Sequence, residues 1–376
     1  MKMKNNFLRC NFFLNFFLKN NFKKIKNNFS FRKNYFFIFL FFIFYFFSSC
    51  IFSGKKNVST AFYFWRTRFN LNASEKKTLM DLNVSHLYIK ILDIDGNDDD
   101  KFPTIVSELD SLPDSNNERK ITPVIFITNR TFTLIPENLI DSFADALTKK
   151  CFSNIAFPTV KEIQFDCDWT ETTRSKYFSF LKRTKHQIEK SENKNIQLSA
   201  TIRLYQYKYF EKTGVPPVNN GTLMVYNLNA LDAPETQNAI LDVPTLQTYL
   251  TSNKNYPIPL NIALPLYSQG VILRDGNAAH LFNNLIPEEV KHDTHFLKKS
   301  ATTYSANQNC YFKGVYVYAD DVLRIDTVSI ENLEKSAELL SKKFSGSVNE
   351  ITFFSLDSVC LKRYNPEELK TIVKIF

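Results

Sequence analysis

Strand-like and helix-like segments alternate along residues 60–376, and few folds accommodate this order. Eight segments rich in β-branched and aromatic residues are typical of strands: 61–67, 86–93, 122–129, 162–168, 197–204, 222–227, 260–267 and 350–356. Helical patterns lie between or after them, at 74–82, 136–150, 171–190, 244–250, 330–344 and 366–376. The alternation predicts an α/β fold with a parallel sheet, closed most economically as a single (β/α)8 TIM-type barrel. An open doubly wound sheet is the main alternative.

One long segment, residues 269–328, interrupts the alternation between the seventh strand and its helix. It contains a strand-like run at 314–318 and no convincing helix. Because it follows the end of a barrel strand, we expect an insertion at the C-terminal face, where barrel enzymes carry their sites. We expect residues 60–376, including the insertion, to form one barrel domain that follows a linker at 50–59.

The first 49 residues have the composition of a targeting segment. Residues 1–56 carry eleven Lys or Arg and no acid, and residues 35–47 form an apolar run of thirteen. A helix needs about 20 apolar residues to cross a bilayer, so the run is typical of a signal peptide. The following Ser48-Ser49-Cys50 resembles a bacterial lipobox, which implies acylation of Cys50 and a lipid anchor at the cell envelope. The alternatives are an uncleaved anchor and a plain signal peptide.

The net positive charge of the chain lies in residues 1–56. This segment holds eleven of the 47 Lys and Arg, which leaves 36 against 38 Asp and Glu in the rest of the chain. A folded surface with this balance predicts no nucleic-acid partner. The four cysteines after Cys50 show no CxxC spacing, and the acidic stretch 93–100 lacks the EF-hand pattern. We therefore expect no metal and no cofactor.

Two aspartates at the end of the fourth strand are the strongest chemical signal. Side chains alternate along a strand, so Asp166 and Asp168 share one face and are predicted to point into the barrel near its C-terminal mouth. Two carboxylates at close range do not both ionise easily, and a raised pKa suits general acid–base catalysis. Glu171 follows at the start of the next helix. The alternative is a structural pair satisfied by Arg203 on the adjacent strand, itself a candidate substrate contact.

Aromatic and basic residues at other strand ends are candidates for substrate contacts. Trp65 and Arg66 follow the first strand and suit a sugar subsite, by ring stacking and hydrogen bonding. Tyr226 and Tyr267 end inward-facing strands and suit the orientation of a hydroxyl or carbonyl group. A core tryptophan beside a surface arginine, and tyrosines that only fill the barrel, are the alternatives.

The order of these segments resembles the family 18 glycosidases, the chitinase-like barrels, from about residue 61 to 357. The family's fourth strand carries D-G-x-D-x-D-x-E, and residues 166–168 (DCD) fall in that run. Its sixth strand carries M-x-Y-D, where this chain has MVYN at 224–227, and its seventh ends in G-x-P-x-Y-G, matched loosely by ALPLYS at 263–268. Its last strand ends in an aromatic residue, compatible with FFSLD at 353–357. The resemblance implies that Asn227 and Asp357 also contact substrate.

The chain departs from the family at the proton donor. Thr170 stands where the family has its acidic Glu, and Glu171 lies one residue later. Ile163 and Gln164 replace the Asp and Gly that open the run. The chain is also similar to a group of bacterial lipoproteins with a glycosidase-like barrel and a D-x-D-W segment. That resemblance implies the barrel and the anchor but no particular activity.

Together these features predict a cell-envelope lipoprotein, on the periplasmic or outer-membrane side, that hydrolyses or binds an oligosaccharide. In the catalytic interpretation Asp166 and Asp168 tune and orient, Glu171 or Asp168 donates the proton, and Tyr226 positions the substrate. The alternative is a non-catalytic glycan-binding or envelope assembly protein, in which Thr170 marks a lost acid. A purely structural envelope protein is the third interpretation.

Overall fold

The computed structural model describes residues 57–98, 102–110, 119–154, 160–192, 194–233, 235–252 and 254–376. The leader at 1–49 and the lipidation residue Cys50 lie outside these ranges and stay predictions. Within the described ranges, no helix is long and apolar enough to span a membrane. Residues Asn57–Phe376 pack as one compact unit.

The strands of the described chain run in this order: β1 (Ser59–Phe64), β2 (His86–Asp95), β3 (Thr104–Glu108), β4 (Lys120–Ile127), β5 (Glu162–Asp166), β6 (Gln197–Arg203), β7 (Asn220–Met224), β8 (Leu260–Pro265), β9 (Gln269–Arg274), β10 (Asn277–Asn283), β11 (Phe296–Lys298), β12 (Thr303–Ala306), β13 (Cys310–Phe312), β14 (Val315–Val317), β15 (Val322–Asp326) and β16 (Glu350–Phe354). The helices are α1 (Ala73–Asp81), α2 (Asn129–Leu134), α3 (Ile140–Asn154), α4 (Arg174–Lys190), α5 (Leu204–Lys208), α6 (Phe210–Thr213), α7 (Val243–Tyr249), α8 (Ile330–Lys343), α9 (Ser358–Leu361) and α10 (Pro366–Lys374). Short 3-10 turns lie at Glu137–Leu139 and Pro287–Glu289.

Eight parallel strands close into a barrel in the order β1-β16-β8-β7-β6-β5-β4-β2, and β1 pairs with β2 to complete the ring. The predicted (β/α)8 barrel is therefore confirmed, and the open sheet is excluded. Each of the eight strands begins and ends within three residues of its predicted bounds. Except at β2, the prediction extends past the observed end, because the last residues of the apolar run leave the sheet at the mouth.

A polar layer inside the barrel shows which side chains face its lumen. The Tyr63 hydroxyl on β1 donates to Gln164 Oε1 on β5 at 2.6 Å, although β1 and β5 are not neighbours in the sheet. Gln164 Nε2 in turn donates to Thr222 Oγ1 on β7 at 3.1 Å. These bonds cross the lumen, so Gln164 points inward. Because side chains alternate along a strand, Asp166 points into the same lumen one layer closer to the mouth.

The predicted insertion after the seventh barrel strand is also confirmed. Between β8 and α8 the chain forms a five-stranded antiparallel sheet in the order β10-β9-β15-β12-β11, together with the hairpin β13–β14. Its own hydrophobic core includes Ile272, Phe282 and Leu323. Of these strands the sequence predicted one, at 314–318, where the structure has β14.

A buried charge cluster joins the insertion to the barrel. Asp326 on β15 is fully buried and accepts hydrogen bonds from Arg324 Nε at 2.8 Å and from Gln269 Nε2 at 2.9 Å. It also accepts from the backbone N–H of Ala239, in the loop after β7, at 3.2 Å. Because a buried charge without partners is costly, these bonds fix the insertion against that loop.

Candidate functional site

A cavity of about 490 Å³ lies at the C-terminal mouth of the barrel. Nine predicted site residues line it: Trp65, Arg66, Asp166, Asp168, Arg203, Tyr226, Asn227, Tyr267 and Asp357. They come from the ends of strands that are distant in sequence. Closure of the barrel brings these ends together at its C-terminal face, where (β/α)8 barrels carry their sites. The placement is observed, whereas the roles of the individual residues stay predictions.

Asp166 is the more deeply buried of the two mouth aspartates. Thr201 Oγ1 donates to its Oδ1 at 2.6 Å, and the residue is only 8% exposed. Burial and the nearby charge of Asp168 raise the pKa of Asp166 to about 6, against the opposing effects of Thr201 and Arg203. A carboxyl with this pKa exchanges a proton near neutral pH, as a general acid or base must.

Asp168 has a different partner. Arg203 binds it with two parallel hydrogen bonds, Nε to Oδ1 and Nη2 to Oδ2. The bidentate geometry is the strong form of an arginine–carboxylate pair and fixes the orientation of the Asp168 side chain. The alternative interpretation, an acid satisfied by Arg203, therefore describes Asp168. It does not describe Asp166, whose hydrogen-bond donor is Thr201.

Glu171 does not reach the cavity. Strand β5 ends at Asp166, and residues 170–173 form a turn that leads into α4, with Glu171 exposed. The turn is fixed by its own bonds, since the backbone N–H of Thr170 donates to Thr173 Oγ1 at 2.9 Å. The Thr170 side chain is exposed as well and bonds Thr172 at 2.8 Å. The structure therefore does not bring Glu171 to the two aspartates, and the geometry does not support Glu171 as a proton donor.

Aromatic rings make up much of the cavity wall. Phe354, at the end of β16, lies at its centre, with ring centroids 5.4 Å from Trp65, 5.2 Å from Tyr226 and 5.8 Å from Tyr267. Phe126 on β4 is 6.4 Å from Trp65 and extends the wall. Sequence reasoning did not single out Phe126. The sequence signal for Phe126 was its position near the end of β4, the third strand of the barrel, where alternation turns its side chain inward.

Tyrosine and asparagine side chains give the wall a polar edge. The Tyr267 hydroxyl donates to Asn227 Oδ1 at 2.5 Å. Asn227 has a positive φ of 55°, a conformation that asparagine tolerates better than most residues. Burial raises the pKa of Tyr226 well above its ordinary value, so its hydroxyl stays protonated. These groups offer hydrogen bonds to a ligand that also contacts the rings.

A buried glutamate fixes two segments that border the cavity. Glu75 on α1 is fully buried, and its Oε2 accepts from Arg66 Nη2 at 2.9 Å. Its Oε1 accepts from the backbone N–H of Ser358 at 3.1 Å. The predicted contact Asp357 also caps α9, because its Oδ1 accepts from the Val359 N–H at 2.7 Å. Arg66 and Asp357 therefore line the cavity and are also held in place by hydrogen bonds within the protein.

The insertion supplies the last part of the wall, which sequence reasoning missed. Gln269, Leu281, Asn283 and Asn284 line the cavity from β9, β10 and the residue after it. No motif marks them, since only the packing of the insertion against the mouth brings them near. In the described part of the chain, no group of three or more His, Cys, Asp or Glu has the geometry of a metal site.

Comparison with solved structures finds similar barrels. The spore cortex-lytic enzyme SleL of Bacillus cereus superposes with a TM-score of 0.51 at 14% identity, over 86% of this chain and 75% of that enzyme. The SleL of Bacillus megaterium gives 0.51 at 11%, with the same coverage of each chain. A chitinase from Chromobacterium violaceum gives 0.50 at 11%, over 84% of this chain and 98% of the chitinase. The chain has a glycosidase-like barrel fold. No protein-family model matches the sequence, and no curated protein matches it.

Proposed function

We propose that the cavity at the barrel mouth binds an oligosaccharide. The observation that carries this proposal is the continuous aromatic wall around Phe354, which lies beside polar groups in a cavity of about 490 Å³. Ligand sites of small molecules have this size and this combination of apolar walls and few polar contacts. A sugar ring has an apolar face, which stacks on an aromatic side chain, and hydroxyl groups, which form hydrogen bonds. Trp65 suits the apolar face and Asn227 suits the hydroxyl groups.

A glycan panel tests the binding proposal. The full-length chain in detergent is presented to a broad set of soluble oligosaccharides, beside Trp65→Ala and the control Tyr205→Ala. Tyr205 is exposed and does not line the cavity. Truncation of a central aromatic side chain in a binding site lowers affinity by about tenfold or more. We expect that decrease for the Trp65 variant alone. Binding of no oligosaccharide in the panel, or equal binding by the two variants, contradicts the proposal.

Hydrolysis of the bound glycan is a second candidate, which the raised pKa of Asp166 favours. This carboxyl lines the cavity, and Thr201 occupies only its Oδ1. A proton donor must reach the leaving oxygen in its protonated form, which Asp166 retains in part near pH 6. Asp168, paired with Arg203, lies beside it in the cavity wall. Asp166 replaces Glu171 and Asp168 as the proposed donor, since Glu171 lies outside the cavity and Arg203 bonds both oxygens of Asp168.

Product release separates the two candidates. In a reducing-end assay on the glycans that bind, a hydrolase should lose turnover in Asp166→Asn and in Asp168→Asn while Asp166→Asn keeps its affinity. Wild-type turnover should fall as the pH rises past about 6, because the donor ionises. Tight binding with no product at any pH identifies a non-catalytic binding protein, the alternative drawn from Thr170. Full turnover in Asp166→Asn rules out the assigned donor.

We further propose that Cys50 is acylated and holds the barrel at the cell envelope. The support is the sequence alone: an apolar run, two serines and a cysteine. Metabolic labelling with a fatty acid, compared between the wild type and Cys50→Ser, tests it. Label in the membrane fraction of the wild type and its loss in the variant are expected. An unlabelled wild type indicates the plain signal peptide or the uncleaved anchor instead.

A further inference from the structure

The hairpin β13–β14 of the insertion has two contrasting faces. Cys310, Phe312 and Val317 are buried in the insertion's core. The alternate side chains, Tyr311 and Tyr316, face away from that core and are directly paired across the two strands. The outward face of a half-buried antiparallel hairpin normally carries polar side chains. Here it carries two aromatic rings.

These rings belong to a contiguous exposed surface, which we call the tyrosine stripe: Tyr311, Tyr316 and Tyr318. They are 74%, 40% and 48% exposed. The centroids of Tyr311 and Tyr316 are 5.1 Å apart, and those of Tyr316 and Tyr318 are 4.9 Å apart. Exposed apolar surface that is contiguous, unlike scattered single residues, marks a place where another molecule binds.

Local structure holds the stripe in place before anything binds. Lys313 and Gly314 form the two-residue turn of the hairpin, with positive φ values of 47° and 81°, as a tight primed turn requires. Tyr318 is fixed at the other end, because its backbone N–H donates to Asp321 Oδ2 at 2.9 Å. Rigid tyrosines lose little conformational entropy on binding, and each offers both a ring face and a hydroxyl.

The two basic side chains beside the stripe are each paired with an acid. Arg274 lies over the Tyr318 ring at 4.2 Å and is held by two hydrogen bonds from its guanidinium to Asp321, at 3.0 and 2.8 Å. Lys313 pairs with Glu289 at 2.5 Å. Neither of these two basic side chains is therefore left unpaired to attract an acidic partner. Ring faces, hydroxyls and compensated charge suit an uncharged polymer with many hydroxyl groups.

One strand connects the stripe to the cavity. β9 begins at Gln269, in the cavity wall, and ends at Arg274, whose guanidinium contacts the Tyr318 ring. Five residue steps at about 3.3 Å make this distance about 17 Å. We propose that the tyrosine stripe is a second carbohydrate-binding surface, which holds an uncharged polysaccharide outside the cavity. The ligand class rests on the function proposed for the cavity, whereas the location rests on the hairpin alone.

Retention on insoluble polysaccharide tests the stripe apart from the cavity. Full-length protein in detergent is sedimented with insoluble chitin and with insoluble cellulose, and soluble-oligosaccharide affinity is measured on the same samples. The stripe variant is Tyr311→Ala with Tyr316→Ala. Its matched control is Tyr205→Ala with Tyr209→Ala, another exposed pair, with centroids 4.9 Å apart, outside the insertion. A second stripe variant, Tyr311→Phe with Tyr316→Phe, keeps the rings.

We expect the Ala stripe variant to lose about tenfold in retention on at least one polymer, with unchanged affinity for soluble oligosaccharide. The Phe variant and the control should be retained like the wild type. Retention that survives in the Ala variant, or its absence in the wild type, overturns the inference while leaving the cavity's function intact. Loss of cavity binding in Trp65→Ala tests the cavity separately. A change of oligomeric state in the Ala variant on sedimentation, without loss of retention, identifies a second copy of the chain as the partner and also overturns it.

Discussion

Replacement of Asp166 by Asn should stabilise the folded protein at neutral and alkaline pH. Burial and the charge of Asp168 raise the pKa of Asp166 from 3.8 to about 6, so its ionisation costs more in the folded state than in the unfolded chain. At 1.36 kcal/mol for each pKa unit, this difference corresponds to about 3 kcal/mol. Stability from this group is fully present below pH 3.8 and is lost as the pH rises through about 6. Asparagine does not ionise and avoids the loss.

Urea unfolding free energies between pH 4 and pH 8 provide the assay. The stability of Asp166→Asn relative to wild type should grow over this range and level off above about pH 7, toward about 3 kcal/mol. Thr201→Val is the control, because Thr201 lowers the pKa of Asp166 and its loss should steepen the decline of stability with pH. A difference between Asp166→Asn and wild type that does not change with pH would refute the reasoning. So would an Asn variant that is the less stable protein at pH 8.

Two further substitutions have definite expected outcomes. The Arg203 charge lowers the pKa of Asp166, and Arg203→Met removes that charge. Carboxyl NMR titration of this variant should therefore show the Asp166 pKa above about 6. An unchanged value would contradict the assigned contact. Gly270→Ala places a Cβ 2.3 Å from Leu285 Cδ2 in the insertion's core and should cost about 1–3 kcal/mol by urea unfolding, whereas a neutral effect would mean that the core relaxes freely.

The barrel was predictable because its strands are buried on both faces. A run such as STAFYF in β1, almost entirely buried, carries a strong apolar signal regardless of its neighbours. The insertion strands lack that signal. β10 reads NAAHLFN and is exposed at every position but one, and β13 has three residues. Strands this short and polar are specified by their pairing partners, which a linear pattern does not reveal.

The site shows the same division. Alternation along β5 was enough to turn Asp166 into the lumen, because the period of a strand is fixed by its geometry. Asp168 lies two residues beyond the end of the strand and also lines the cavity. The position of Glu171 depended instead on where the chain leaves the strand. The Thr170–Thr173 hydrogen bond settles that turn, and the prediction had placed the helix start three residues too early. Gln269 lines the cavity and bonds Asp326, a tertiary contact between β9 and β15 that no local pattern reveals.

Fluorine NMR of the protein labelled with fluorotryptophan tests the cavity's proposed function most directly. The chain has two tryptophans. Trp65 lines the cavity, whereas Trp169 does not: it is 2% exposed and donates its indole N–H to the Thr213 carbonyl oxygen at 2.9 Å. Titration with an oligosaccharide that the panel identifies should shift the Trp65 signal in a saturable way and leave the Trp169 signal in place. Two unmoved signals, or a shift confined to Trp169, would contradict a glycan site at the barrel mouth.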